Sequence, residues 1–290
     1  MDIAGFYLKV RYNLKLLIPE KRVVIKGEQE PSYAPPIFVI GCYRSGTSLI
    51  RRMLDSHSRV ACPPESKFMV ELLEMLMDKK AMDGLDSMGF SREQVYNKTR
   101  GYINYYFMNY ARSKGKDIWA DKTPDHVEYI DVIDDLFLNE AKFVFIYRNG
   151  LDVASSLCTR HFQAPERYIS TNRIADRYVG CARFWADQVE KMKKSGVLKS
   201  GRAHEIRYEE LVQDPDNTLS CLFEYLGLEY EPEIVDYHMF EHDKGHEDGI
   251  VTIMKGISPS INNYRSMPGD KLDEAMRHIG TTLKSLGYER

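Results

Sequence analysis

IFVIGCYRSGTSLI (residues 37–50) runs from an apolar segment through a loop bounded by glycines into a second apolar segment. It has the outline of a phosphate-binding P-loop, G-x-x-x-x-G-K-[ST], with Gly41, Gly46 and Ser48 in register. Thr47 stands where the lysine of that motif belongs. An apolar run without alternation predicts a strand covered on both faces, here followed by a loop and a helix.

The loop can still bind an anion although it lacks the P-loop lysine. In a P-loop, backbone amides at the helix N-terminus bind phosphate oxygens, and the lysine adds a point charge. Here Arg44 brings a cation onto the loop, and its planar set of donors suits a tetrahedral oxyanion. The sequence therefore predicts an anion-binding loop without the usual magnesium-dependent design. An incidental Gly-Ser turn between strand and helix is the alternative.

The bulk composition is that of an ordinary globular protein. The chain has 290 residues, of which 43% are hydrophobic and 29% charged, enough for a substantial core. The formal net charge is -3, so there is no global basic field of the kind that binds nucleic acid. We therefore expect no nucleic-acid partner, and any basic site must be local.

The cysteines favour a reducing compartment and hence a cytoplasmic location. Their number is odd, they are widely spaced, and no C-x-x-C pair occurs. This pattern argues against a disulfide framework and against a structural zinc site. The five are Cys42, Cys62, Cys158, Cys181 and Cys221.

Residues 1–30 are expected to form a helical extension ahead of a single domain over residues 31–290. Apolar residues in this extension recur at helical spacing, and charges interrupt every apolar run before it reaches the length of a signal peptide. No other stretch approaches the roughly 18 apolar residues of a membrane span. The extension packs on its own domain or on a homodimer mate, or it lies on a membrane surface.

Apolar strands alternate with helices along the rest of the chain. Further strands are expected at 59–64, 117–124, 141–148 and 203–211, and helices at 47–56, 65–80, 151–160 and near 270–286. A helical middle section is expected to run to about Lys114. This order predicts an α/β fold, a single P-loop-like domain with a mostly parallel central sheet flanked by helices.

A second anion site is predicted in FIYRNGLDVASSL (residues 145–157). Arg148 ends a buried strand, and Ser156 follows eight residues later inside the next helix. Ligands of open α/β sheets bind beyond the carboxyl ends of the strands, where an arginine beside helix N-terminal amides can hold an anion. Taken alone, a solvated arginine at a strand end is an equal alternative. Two such sites in one chain favour a ligand with two separated phosphates.

The two motifs together resemble the nucleotide-binding signatures of sulfotransferases that use 3′-phosphoadenosine 5′-phosphosulfate (PAPS). RSGTS after FVIGCY matches the first signature, and YRNGLDVASS matches the second. The resemblance implies the sulfotransferase fold, PAPS as donor, adenosine 3′,5′-bisphosphate as product and no metal. It assigns the 5′-phosphosulfate to Arg44, Ser45, Gly46, Thr47 and Ser48, and the 3′-phosphate to Arg148 and Ser156.

Within that family, RSGTSLIRRMLDSHSRVACPPES (residues 44–66) is most similar to the tyrosylprotein sulfotransferases. The similarity implies that Glu65 is the catalytic base and that Lys122, in DKTP, is a catalytic lysine. It also implies a phosphate contact for Arg160 and a nucleotide contact for Tyr208. The Golgi anchor of the animal enzymes has no counterpart here, which favours a bacterial or cytosolic relative.

The match is poorest in the late loop IMKGISPSINNYRSMP (residues 253–268). In the family this loop supplies a serine and a lysine to the PAPS phosphates, but here no register is clear. The candidates are Lys255, Ser258, Ser260 and Arg265.

Sulfuryl transfer requires a base for the acceptor hydroxyl and cations where charge grows on the leaving phosphate. Glu65 lies near a helix start, where a carboxylate tends to stay ionised, so it is a credible base. Arg44 and Lys122 are credible leaving-group stabilisers. His126 is a second candidate base and ranks below Glu65. A first-turn glutamate and a surface lysine are the plainer interpretations of Glu65 and Lys122.

Two further clusters have plainer interpretations that we prefer. His238, His242 and His246 recur every four residues beside Asp243, which imitates a metal-binding face, but a flexible surface segment is the preferred interpretation. GYINYYFMNYAR (residues 101–112) is aromatic at helical spacing, which indicates core packing. Some of these rings could instead wall an acceptor pocket.

The leading functional hypothesis is transfer of a sulfuryl group from PAPS to a hydroxyl, with a peptide tyrosine as the acceptor that the Glu65 match favours. A carbohydrate or small-metabolite hydroxyl is the main variant. A P-loop kinase would require a lysine at position 47 and a magnesium-binding aspartate at a later strand end, where Arg148 stands instead. A catalytically silent nucleotide-binding scaffold is the third hypothesis, and the presence of Glu65 and Lys122 argues against it.

Overall fold

Five strands form one sheet in the computed structural model, which describes residues 34–247 and 253–288. The strands are β1 (Ile37–Ile40), β2 (Val60–Ala61), β3 (Ile118–Lys122), β4 (Lys142–Tyr147) and β5 (Ala203–Arg207). Their order is β2-β3-β1-β4-β5, and all four pairings are parallel. The predicted α/β class is thereby confirmed. The predicted N-terminal extension lies outside the described residues.

Twelve helices surround the sheet in the described ranges. They are α1 (Thr47–Ser56), α2 (Lys67–Met77), α3 (Lys79–Ser87), α4 (Arg92–Ser113), α5 (Ile130–Leu136), α6 (Gly150–Cys158), α7 (Gln163–Thr171), α8 (Arg177–Lys194), α9 (Gly196–Lys199), α10 (Tyr208–Gln213), α11 (Pro215–Leu226) and α12 (Gly269–Ser285). Short 3₁₀ helices cover Pro124–Glu128, Pro232–Met239 and Asn263–Ser266. None of these helices is both long enough and apolar enough to cross a bilayer.

Strand β1 and residues 143–147 of β4 are apolar because both faces of the sheet are covered there. Phe38 and Phe143 point into one core, which α8 and α12 complete. Val39 and Val144 point into the other, which α1 completes. Alternate residues of a strand face opposite sides, so continuous apolar runs are what a sheet with two cores requires.

The register brings three strand ends together at one edge of the sheet. β1 lies between β3 and β4, with Val39 opposite Lys122 on one side and Val144 on the other. All three strands run in the same direction, so the residues that follow them emerge side by side. The P-loop-like segment, Lys122 and Arg148 therefore meet at the carboxyl edge, where open α/β sheets bind ligands.

Three predicted elements differ from the structure at their ends. The strand predicted at 59–64 is only two residues long, and prolines at positions 63 and 64 cannot donate to a ladder. The strand predicted at 203–211 ends at Arg207, where α10 begins. The helix predicted at 65–80 begins at Lys67 and breaks after Met77, so Glu65 lies in the turn before it.

Candidate active site

Two glycines shape the loop between β1 and α1. A Cβ added at Gly41 would lie 2.8 Å from the carbonyl oxygen of Ile146, so the loop leaves the sheet in direct contact with β4. Gly46 has a φ of 94°, and a Cβ there would lie 2.5 Å from Cδ2 of Tyr208. Arg44 also has a positive φ, 68°. The loop therefore turns sharply into α1, whose N-terminal residues face a cavity.

The cavity has a volume of about 1420 Å³ and lies at the carboxyl edge of the sheet. Eight of the eleven predicted site residues line it: Arg44, Gly46, Thr47, Ser48, Glu65, Arg148, Arg160 and Tyr208. The other three are adjacent. Ser45 is buried inside the loop, Lys122 contacts Glu65, and Ser156 contacts Arg44. The structure thus brings all eleven residues together, while their roles stay predictions.

Glu65 and Lys122 form a close ion pair beside the loop. Nζ of Lys122 donates to Oε1 of Glu65 at 2.8 Å and to Oγ of Ser48 at 3.3 Å. The Lys122 side chain is 1% exposed, whereas that of Glu65 is 13% exposed toward the cavity. A buried ammonium needs a partner of opposite charge, so the pair is mutually dependent. It is also the arrangement that a base and a leaving-group stabiliser would require.

A second lysine holds the other oxygen of Glu65. Nζ of Lys67 lies 3.0 Å from Oε2 of Glu65 and donates to Oδ2 of Asp125 at 3.0 Å. Partial burial opposes the charge of Lys67, but the two carboxylates outweigh it and raise the pKa of the amine. Sequence reasoning missed Lys67 and Asp125. Their only signal was closeness in the chain to Glu65 and Lys122.

Tyr43 connects the loop to this network. Its hydroxyl donates to Oδ1 of Asp125. Burial, together with the neighbouring Asp125 carboxylate, raises the pKa of the Tyr43 phenol far above its usual range. Tyr43 is therefore a hydrogen-bond donor at neutral pH and fixes the carboxylate that in turn holds Lys67.

Arg148 is immobilised at the end of β4. Its Nη1 donates to the Arg44 carbonyl at 2.8 Å, and its Nη2 donates to Oγ of Ser260 at 3.1 Å and to the Ser260 carbonyl. The guanidinium lies 4.5 Å from the centre of the Tyr208 ring. Nε of Arg148 and Oγ of Ser45 are buried and have no hydrogen-bond partner among the described residues. Unsatisfied buried donors of this kind fit an anion site.

Arg44 and Ser156 contact each other directly. Nε of Arg44 donates to Oγ of Ser156 at 2.8 Å. The resemblance assigned these two residues to opposite ends of the donor. In the structure, however, the guanidinium of Arg44 contacts a residue of the second predicted anion site. Arg160 lines the cavity nearby, and its carbonyl accepts a hydrogen bond from Nη2 of Arg177 at 2.6 Å. Basic side chains are therefore concentrated at this end of the cavity.

The late loop contributes part of what the family pattern implied. Ser258 and Ser260 line the cavity, and the Ser260 amide donates to the Tyr208 hydroxyl at 3.2 Å. Lys255 and Arg265 are exposed and do not belong to the cavity wall. Only two of the four candidates therefore contact the site, and the sequence alone could not show which two.

His126, the second candidate base, does not face the cavity. It is fully buried, with Nε2 3.5 Å from Oδ2 of Asp121 and its ring 5.9 Å from that of Phe38. Burial lowers the pKa of this imidazole, so it is held neutral. A group enclosed in this way has no path to an acceptor hydroxyl, so Glu65 is the better placed of the two candidate bases.

The histidine-containing segment is anchored, which corrects the expectation of a flexible surface segment. Nδ1 of His242 lies 2.6 Å from Oδ2 of Asp55, and Nε2 lies 2.9 Å from the Tyr237 carbonyl oxygen. Only 3% of the His242 side chain is exposed. Within the described ranges, no group of three potential ligands is arranged to hold a metal ion.

The rings of α4 do not form the acceptor wall that was offered as their alternative. Ile103 and Phe107 are buried in the core, while Tyr102, Tyr105 and Tyr106 are exposed away from the cavity. A different set of rings lines the cavity beside Asp125. Tyr43 lies 5.5 Å from Phe162 and 6.3 Å from Phe184, and Tyr168 lies 5.6 Å from Phe184.

The chain matches the sequence model of a family described as the sulfotransferase family, over residues 35–232. It is 27% identical over 234 residues to an uncharacterised protein of Aquifex aeolicus, with 79% of this chain and 30% of that protein covered. It is 25% identical over 271 residues to protein-tyrosine sulfotransferase 2 of Gallus gallus, with 88% and 70% covered. Another relative, at 25% over 252 residues, is omega-hydroxy-beta-dihydromenaquinone-9 sulfotransferase of Mycobacterium bovis, with 67% and 63% covered.

Solved structures share the fold. A sulfotransferase domain from the curacin biosynthetic pathway superimposes with a TM-score of 0.58 at 19% identity, covering 89% of this chain and 99% of that domain. A sulfotransferase domain from a Synechococcus olefin synthase gives a TM-score of 0.55 at 18% identity, covering 91% and 100%. The predicted P-loop-like architecture is therefore found in other proteins of known structure.

Proposed function

The chain belongs to the sulfotransferase family, and we propose that it transfers the sulfuryl group of PAPS to an acceptor hydroxyl, with Glu65 as the base. The ion pair of Glu65 with the buried Lys122, 2.8 Å apart beside the anion-binding loop, is the observation that carries this proposal. It joins a proton acceptor and a cation at the point where two strands end.

PAPS supplies an SO₃ group attached to a phosphate that leaves as a stable anion. Glu65 accepts the proton of the acceptor hydroxyl as the acceptor oxygen bonds to sulfur. The bond from sulfur to the bridging phosphate oxygen breaks, and its electron pair stays on that oxygen. Nζ of Lys122 lies between Glu65 and Ser48. A small rotation of the Lys122 side chain therefore moves the ammonium from the carboxylate toward the negative charge that grows on the bridging phosphate oxygen.

The basic end of the cavity fits the rest of the donor. Arg148 would hold the 3′-phosphate with Ser156, and the amides of the loop and of the start of α1 would hold the 5′ end. The buried donors of Arg148 and Ser45 that have no partner among the described residues support this assignment. Arg160 and Tyr208 complete the binding surface in the proposal.

For the acceptor, we propose a phenolic hydroxyl, with a peptide tyrosine as the specific version. The tyrosine sulfotransferase of Gallus gallus is among the relatives, and the rings of Tyr43, Phe162 and Phe184 give the cavity an aromatic wall beside the Glu65 network. A small-metabolite hydroxyl is the second candidate because a menaquinone sulfotransferase is also a relative. Both use the same base and the same donor.

A cytoplasmic location belongs to the proposal as well. All five cysteines are free, and burial raises the pKa of the Cys42 and Cys62 thiols well above the usual range. Free cysteines suit a reducing compartment, where disulfides are rare. Fractionation of the native host with an antibody to the protein tests this point.

Two measurements test the function. Calorimetric titration without magnesium should show adenosine 3′,5′-bisphosphate binding at least tenfold more tightly than ATP. Incubation with ³⁵S-labelled PAPS should then label a tyrosine peptide or a simple phenol more than a sugar. Binding of ATP with equal affinity would favour a kinase-like protein, and tight binding of the bisphosphate without transfer to any acceptor would favour a silent scaffold.

A further inference from the structure

Segment 242–247 (sequence HDKGHE) lies beyond residue 232, where the match to the family model ends. It nevertheless contacts the turn that carries Glu65. The amide of Glu65 donates to the carbonyl oxygen of His246 at 2.9 Å. This backbone bond is not part of a helix or strand, so something else must hold segment 242–247 in place.

The carboxylate of Glu247 provides one anchor. It is 2% exposed and lies between two arginines of α1, with Oε2 3.2 Å from Nη1 of Arg51 and Oε1 2.6 Å from Nη2 of Arg52. Arg51 is itself buried, and its Nε donates to the Pro63 carbonyl at 3.1 Å. The same guanidinium therefore binds both segment 242–247 and the turn before Glu65. Breaking a buried ion pair of this kind is strongly destabilising.

Gly245 provides a second, steric anchor. A Cβ added there would lie 2.6 Å from Cβ of Pro64 and 2.9 Å from its Cγ. The proline ring cannot rotate away, so only glycine allows the segment to approach so closely. On the far side of the turn, Cys62 donates its amide to Asp55 at 2.9 Å, and Asp55 accepts from His242. Each residue of the turn from Cys62 to Glu65 therefore has a contact that fixes it. Cys62, Pro63 and Glu65 form backbone hydrogen bonds, and Pro64 packs against Gly245.

We propose that Glu247 and Gly245 are positioning residues that fix the backbone at Glu65 and so hold its carboxylate against Lys122. The inference rests on the proposed role of Glu65 as the base. Neither residue touches the reacting atoms in this proposal. Displacement of segment 242–247 would let the Glu65 turn move, and a misplacement of about 1 Å can lower the rate of a positioned reaction about 100-fold.

The experiment compares two variants with two matched controls. Gly245→Ala is paired with Gly84→Ala, because a Cβ at Gly84 in α3 meets nothing within 4 Å. Glu247→Gln is paired with Glu241→Gln, because Glu241 is exposed in the same part of the chain. Circular dichroism and thermal melting select the variants that fold. If only one of the two test variants folds, that variant alone is sufficient to test the proposal.

Three quantities are measured: kcat for transfer from labelled PAPS to the tyrosine peptide, the Kd of adenosine 3′,5′-bisphosphate, and hydrogen exchange at the Glu65 amide. We expect both test variants to lower kcat about 10- to 100-fold, to leave the Kd within about threefold, and to accelerate exchange at Glu65. The controls should match the wild type in all three.

Unchanged kcat in the folded test variants would overturn the proposal. So would a parallel loss of nucleotide affinity, because that result would indicate a general structural role. Wild-type protein that transfers no sulfate would contradict the proposed function instead. In that case the exchange rate of the Glu65 amide still decides whether segment 242–247 fixes this turn.

Discussion

At Glu65 two ammonium groups hold the two carboxylate oxygens, and this suggests how a single substitution should act. Glu65→Gln keeps the shape but removes the proton acceptor, so we expect kcat to fall about 10²- to 10⁴-fold. The Kd of adenosine 3′,5′-bisphosphate should stay near normal because no contact with the nucleotide is proposed for Glu65. Glu140→Gln, exposed and outside the cavity wall, is the control. Turnover that survives Glu65→Gln would assign the base role to another group.

Arg148 makes two kinds of contact that a lysine cannot reproduce, namely bonds from two nitrogens and stacking on Tyr208. Arg148→Lys should therefore weaken binding of adenosine 3′,5′-bisphosphate about 10- to 100-fold, since a hydrogen bond to a charged group contributes about 1.5–3 kcal/mol. Calorimetry measures the effect, with the exposed Arg277→Lys in α12 as control. An unaltered Kd would show that the 3′-phosphate is bound elsewhere.

His126 makes stability depend on pH. Its folded-state pKa lies below its unfolded value because burial disfavours the imidazolium. Stability is therefore complete above the unfolded pKa of about 6.5 and is lost as the pH falls toward the lower folded pKa. When the pH is lowered from 7.5 to 5.5, the melting temperature of the wild type should fall further than that of His126→Phe. The phenylalanine ring of this variant can pack on Phe38. Sulfate transfer by His126→Phe should stay within a few fold, and its loss would restore His126 as a candidate base.

The loop between β1 and α1 was predictable because its signals are local. An apolar run, two glycines and a cation at fixed spacing define the loop whatever the rest of the chain does, and the same holds for Arg148 after β4. The network around Glu65 was not predictable in this way. Lys67 and Asp125 come from different elements and meet Tyr43 only after the sheet has formed.

Segment 242–247 shows the same limit more strongly. Its polar sequence and its glycine predicted a flexible surface segment. Three of its partners, Arg51, Arg52 and Asp55, lie almost 200 residues earlier. The positions of these charged residues depend on the tertiary fold. A sequence pattern can therefore predict the helices and strands correctly and still give a wrong prediction for such a segment.

The turn into α1 can be tested by separating backbone strain from steric contact. Gly46 and Gly115 both have positive φ, but a Cβ at Gly115 meets nothing, whereas a Cβ at Gly46 collides with Tyr208. Each alanine variant should lose on the order of 1 kcal/mol of stability from its backbone conformation. Only Gly46→Ala should also weaken binding of adenosine 3′,5′-bisphosphate, by more than tenfold. Equal affinities in the two variants would show that the nucleotide does not rest on this turn.

Across the cavity as a whole, the charges are unevenly divided. Arg44, Arg148 and Arg160 lie at the proposed donor end. On the rest of the cavity wall each of the two lysines is shared by two carboxylates: Lys67 binds Glu65 and Asp125, and Lys191 binds Glu128 and Asp187. Among the described residues, apart from the three arginines of the donor end, seven carboxylates and three cations (Lys67, Arg167 and Lys191) line the cavity, so an anionic acceptor would face a net negative wall.

This division predicts the charge of the preferred acceptor. Among phenols of similar size, tyramine, which carries an ammonium group, should have a higher kcat/KM than neutral 4-hydroxyphenylacetamide, and anionic 4-hydroxyphenylacetate should have the lowest. We expect about threefold to tenfold between successive acceptors at low salt and smaller ratios at high salt, because the carboxylates on this wall are partly exposed and screened. Glu71→Lys should reduce the ratios, whereas Glu140→Lys, exposed and outside the cavity wall, should not. A preference for the anionic phenol would mean that the acceptor approaches from the basic end, and the two halves of the cavity would then have to exchange roles.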